Sequence, residues 1–157
     1  MTIDAVNARS KAVCRGSSEG SDSARRDPLR IISLVVQPGR VLCEVEVDPA
    51  RSHTDPSLAQ TLLKDHPTLA SHACVNDTGT VFGEVIEHTS VPHLLEHLVI
   101  DLQVRAGECA NVTFVGTTEW EDERVGRATV QVSFTDDLVA LRAFRDATEK
   151  INAAMLQ

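Results

Sequence analysis

Within "SVPHLLEHLVIDLQ", residues 90–103, two histidines and a glutamate are spaced His-x-x-Glu-His. On an α-helix, positions three and four apart share a face. His93, Glu96, His97, Ile100 and Asp101 would then line one side, and Leu94, Leu95, Leu98 and Leu102 the other. Two imidazoles one turn apart can each give a ring nitrogen to a single tetrahedral Zn²⁺. Glu96 beside them could take a proton from a water that the ion activates. The order is the inverse of the His-Glu-x-x-His zinc-protease motif. Asp101, one turn beyond His97, could accept the free imidazole N–H and fix its tautomer. The competing account is three polar residues on the wet side of an amphipathic helix, because short motifs also arise by chance.

Two helical histidines do not complete such a site, since a catalytic zinc takes three protein ligands plus water. Glu119, in "FVGTTEW" after an expected strand, is the preferred third ligand; the bland reading makes it a solvated loop acid. Cys109, Cys74, Glu121, Asp146 and Glu149 are rivals. His72 and Cys74 are two apart, so on a strand they would share a face and could form a ligand pair. Cys74 reads equally as a small core residue. "EVIEH" (84–88) nearly repeats the motif, but only its His88 could ligate well. "EWEDE" (119–123) reads as a solvated acidic turn that would favour cationic substrates if it bordered the site. P-loop and dinucleotide fingerprints are absent from the sequence.

The elements that must hold these residues follow from periodicity. "RIISLVVQ" (30–37) and the alternating "RVLCEVEVD" (40–48), joined by "QPGR", predict a β-hairpin with one face covered. "DPSLAQTLLKDHP" (55–67) opens with an Asp-Pro cap pair and carries Leu58, Leu62 and Leu63 as its stripe. "LASHACVND" (69–77) suggests a short extended piece, and residues 76–89 a loop. The motif helix should run from Val91 to Arg105, with Thr89 or Ser90 as cap, Pro92 in its first turn and Gly107 as stop signal. "CANVTFVGT" (109–117) and "RATVQVSFT" (127–135) predict strands, and "DDLVALRAFRDATEKINAAM" (136–155) a long amphipathic helix. The sum is an α+β fold: an antiparallel or mixed sheet of about four strands with helices on one face.

Residues 1–29 are rich in Gly, Ser and charge and predict a disordered tail, leaving 30–157 as a single domain. Hydrophobic residues make up 42% and aromatics only 3%, so the core must be aliphatic. A formal charge of −8 argues against a nucleic-acid partner and suits a cationic one. No apolar run approaches the ~18 residues of a membrane span, and the N-terminus lacks a signal-peptide apolar region. The four cysteines form no Cys-x-x-Cys pair and suggest reduced thiols in the cytoplasm. A domain this small with a shallow sheet could form a homo-oligomer, and a partner chain could then complete the site.

The span 58–154 resembles the N-terminal domain of cyanophycin synthetase. The likeness lies in "HACVNDTGTVFGEVIEHTSVPHLLEHLVIDLQVRAG", then "GTTE", then an alternating strand and an Ala-rich helix. Asp101 and Gln103 fall where the family has its acid and Gln, while Glu119 stands near the family's Arg. The resemblance implies binding of an Asp–Arg polymer and, as in some members, a metal-dependent peptidase site on His93, Glu96 and His97. The family's two ligase modules find no room in 157 residues, so polymer synthesis is not expected of them. The motif helix is also similar to those of pitrilysin-like and mitochondrial-processing peptidases and of S-ribosylhomocysteine lyase. The last of these completes its site with a Cys. The Glu-Asn-rich helix motif of the pitrilysin peptidases is not seen.

Three functions are consistent with these residues. The first is a cytoplasmic zinc-dependent hydrolase of peptide or isopeptide amides, with Glu96 as base and an Arg-rich peptide or polymer as substrate. The second is a peptide- or polymer-binding module without turnover. The third is a metal-dependent lyase acting on a small carbonyl compound.

Overall fold

The computed structural model describes residues 26–75, 79–107 and 112–157. The expected tail falls almost wholly outside them, and so does Cys109. Order along the sheet begins at Leu29.

The sheet has four antiparallel strands in the order β1-β2-β4-β3: β1 Leu29–Gln37, β2 Arg40–Val47, β3 Gly116–Asp122 and β4 Arg127–Ser133. Helices α2 (Val91–Ala106) and α3 (Asp137–Met155) pack on one face, and α1 (Pro56–Asp65) packs against α3. This is the expected α+β architecture. Strand alternation makes the core: Val41, Cys43, Val45 and Val47 of β2 and Ala128, Val130 and Val132 of β4 are all buried. Against them lie Leu94, Leu95 and Leu98 of α2 and Phe144, Ala147 and Ile151 of α3. Each buried Leu contributes about 1.5–3 kcal/mol. Asn152 of α3 clamps the start of β1, accepting from the Leu29 N–H at 2.9 Å and donating to its carbonyl at 2.8 Å.

The helix starts are those the caps foretell. Asp55, Ser90 and Asp136 each accept a backbone N–H from the first turn of their helix. Two expectations fail. Of the strand expected over 109–117, residues 109–111 lie outside the described residues and 112–115 are not strand; the strand covers Gly116–Asp122, so the supposed acidic turn "EWED" is strand. Its acids at 119 and 121 occupy alternate, solvent-facing positions, which in sequence mimic a polar loop. The true turn is Glu123–Gly126, where Gly126 takes φ +74°. The expected extended piece over 69–77 begins as a 3₁₀ turn, Pro67–Ser71, because Pro67 opens a turn readily. Its extended character survives as one bridge, Ala73 with Val81.

Candidate metal centre

The polar side of α2 is not wet. Glu96, His97 and Asp101 are only 7%, 4% and 2% exposed. After α1, residues 72–74 pair antiparallel with residues 80–82 over them, with Cys74 N–H donating to the Thr80 carbonyl at 3.0 Å and Phe82 N–H to that of His72 at 2.8 Å. Phe82, fully buried, stacks its ring on His97 with centroids 3.9 Å apart. Burying three ionisable side chains is costly unless each finds a partner, and each does.

This paired segment carries the third donor. Cys74 Sγ lies 3.4 Å from His93 Nε2, and one donor atom each from Cys74, His93 and His97 falls within 4.8 Å of the others. The outer nitrogens of both rings are taken: His93 Nδ1 meets the Thr89 hydroxyl at 2.8 Å, and His97 Nδ1 meets His72 Nδ1 at 3.4 Å. Thr89 is itself fixed by Thr54, whose hydroxyl accepts the Thr89 N–H at 2.9 Å. Both imidazoles are thus left with Nε2 for an ion. Burial, with the His93 and His72 rings alongside, pushes His97 down to about 3, and burial lowers His93 as well. Neutral rings are what a metal ligand requires. A thiol and two imidazoles suit Zn²⁺ and leave a fourth position to solvent or substrate.

Glu96 stands outside this donor cluster. Its Oε2 accepts from the Thr118 hydroxyl of β3 at 2.6 Å. Gly116 lies so close that a Cβ there would come within 2.5 Å of Glu96 Cγ and Oε1. Burial pushes its carboxyl up, against the pull of the Thr118 hydrogen bond. A carboxylate moved toward neutrality, with one oxygen anchored and the other without a hydrogen bond from the described residues, is suited to exchange protons.

Glu119, the expected third ligand, is exposed on β3 and does not join the cluster. Alternation decides this: Thr118 turns toward α2, so its neighbour turns to the open face of the sheet. Among the rivals, Glu121 accepts from Thr129 on that same face, and Asp146 and Glu149 pair with arginines of α3. Asp101 does not touch His97 either. Its carboxylate takes His66 Nδ1 at 2.7 Å, Arg105 Nε at 2.8 Å and the Thr68 hydroxyl, with His72 Nε2 at 3.7 Å. Burial would raise this carboxyl, but the hydrogen bonds from His72, Thr68 and His66 and the charge of Arg105 outweigh it and hold it low.

The sequence pattern therefore locates His93, Glu96 and His97 on one helix. The pairing of His72 with Cys74 at strand spacing was the available signal for the third donor. Thr89, Phe82 and Thr118 carry no signal in spacing, because they meet the helix only through tertiary packing.

Residues 41–156 match the cyanophycin synthase-like N-terminal domain, and the chain belongs to that family. Comparison with curated proteins gave no match. No helix among the described residues is long and apolar enough to cross a membrane.

Proposed function

We propose that this protein is a cytoplasmic zinc-dependent hydrolase of peptide or isopeptide amides, with His93, His97 and Cys74 as metal ligands and Glu96 as general base. The observation that carries the reading is the convergence of the three donor atoms within 4.8 Å, beside a buried carboxylate on the same helix. Zinc, when bound, would supply Lewis acidity to the scissile carbonyl and to water. Glu96 accepts the proton of the attacking water at Oε1 and returns it to the leaving amine, while Thr118 keeps Oε2 in place. Phe82 excludes solvent from the back of His97, which strengthens every polar contact there. Membership of the cyanophycin synthase-like family and the charge of −8 favour an Arg-bearing peptide or Asp–Arg polymer as substrate.

The Cys74 donor favours one second reading, a lyase acting on a small carbonyl compound, because the resembling S-ribosylhomocysteine lyase completes its site with a Cys. Zinc-loaded protein incubated with Asp–Arg polymer and with Arg-containing peptides separates the two. Release of new amines, lost about 10²–10⁴-fold in Glu96→Gln with zinc content unchanged, is the expected result. Intact peptides alongside consumption of a carbonyl compound would move the assignment to the lyase. Zinc retention with no turnover of either would leave a binding module.

A further inference from the structure

His72 lies between two things that the proposed chemistry leaves unconnected. On one side its Nδ1 is 3.4 Å from Nδ1 of His97. On the other its Nε2 is 3.7 Å from Oδ1 of Asp101. Its ring is tilted 42° to that of His97 at a centroid separation of 5.6 Å, so the two meet at their edges rather than stacking. Asp101 is nearly inaccessible and is held by Thr68, His66 and Arg105 as well. A buried carboxylate with this many donors is a fixed point, unlike a surface acid.

We infer that His72 and Asp101 form a positioning relay behind His97, setting its tautomer and aiming Nε2 at the metal. The inference rests on the reading that His97 holds an ion. Two nitrogens facing each other need one proton between them. With Nε2 of His97 given to the metal, its proton must sit on Nδ1 and be donated to Nδ1 of His72. The remaining proton of His72 is then on Nε2, directed at the Asp101 carboxylate. Each ring nitrogen of His97 and His72 then has one role, and the negative end is compensated by Arg105. Metal-bound imidazoles commonly donate their second N–H outward in this manner, and loss of the outer partner weakens metal binding about 10–100-fold. His93 is served differently, by the neutral Thr89 hydroxyl. The relay therefore makes the two histidines unequal: His97 is the one tied to a buried charge.

A purely architectural role for Asp101, pinning Thr68 and His66 onto α2, predicts something else, and the difference is measurable. Zinc dissociation constants of the full chain are obtained by competition with a chromophoric chelator, with far-UV circular dichroism as a folding control. His72→Phe keeps a ring but offers no acceptor, and should weaken zinc binding about tenfold or more. His72→Asn retains an oxygen where Nδ1 was, and should recover most of that loss. In a His97→Ala background, His72→Phe should have no further effect, because its influence passes through a ring no longer present. Unaltered affinity in His72→Phe, or an equal loss with and without His97, overturns the relay while leaving the metal site standing. A wild-type chain that takes up no zinc overturns the metal reading and the relay together. If His72→Phe fails to fold, His72→Leu, which likewise offers no acceptor, takes its place in the same cycle, and an equal loss with and without His97 overturns the relay.

Discussion

The two faces of α2 are built on opposite principles. The leucines Leu94, Leu95 and Leu98 hold one side on the sheet by aliphatic contact, where any side chain of similar volume and shape would serve about as well. The other, carrying His93, Glu96, His97 and Asp101, is also covered, yet each group there has a specific partner: Thr89, Thr118, His72, and the His66–Thr68–Arg105 set. A helix with both sides covered needs only one for its stability. The other side, dense in polar groups that are expensive to bury, is explained by chemistry better than by folding.

That contrast can be broken from either side. Leu98→Ala should cost about 2–5 kcal/mol in urea unfolding, with zinc affinity preserved in the folded fraction. A loss of zinc binding in folded Leu98→Ala protein would show that the faces are not separable. Gly116→Ala sharpens the polar side: its new methyl would press on Glu96. Amide turnover should fall, by up to about 10²-fold, with zinc binding intact; unchanged turnover would mean that the placement of Glu96 does not matter.

Acid should separate the faces as well. In metal-free protein His97 stays neutral down to about 3, whereas the unfolded chain protonates it near 6.5. The unfolded state therefore takes up the proton first. The stability contributed by the neutral ring is complete above about pH 6.5 and declines as pH falls toward 3, by up to about 1.4 kcal/mol per pH unit. Unfolding titrations between about pH 7.5 and 5 should show this slope, and His97→Phe should flatten it. An identical slope in that variant would assign the effect elsewhere. The smallest effect is expected of Glu119→Ala, which removes an exposed carboxylate of β3 and should leave zinc affinity within about twofold, as surface changes usually do.

The apolar side was readable in the sequence because it obeys a period. Val45 and Val47 alternate with acids, the leucines of α2 recur at helical spacing, and Asp55, Ser90 and Asp136 announce their helices. Half of the polar side was readable for the same reason, since His93, Glu96 and His97 share one helix. Most of what failed depends on chain that has no period. Residues 66–75 and 79–86 bring Cys74, His72 and Phe82 onto α2 through 3₁₀ turns and a single bridge. Glu119 was misplaced because β3 alternates Thr118 and Trp120 against three acid or hydroxyl positions, a pattern that resembles a loop until β4 pairs with it. Gly107 does end α2, but at φ −89°, so the left-handed freedom that made it a stop signal is unused.

The central claim is tested most directly by titrating zinc into the wild-type chain and into Cys74→Ser. One ion per chain for the wild type, with affinity falling by about 10²-fold or more in a Cys74→Ser protein that still folds, is the result this account requires. No bound ion, or equal affinity in both proteins, would contradict it.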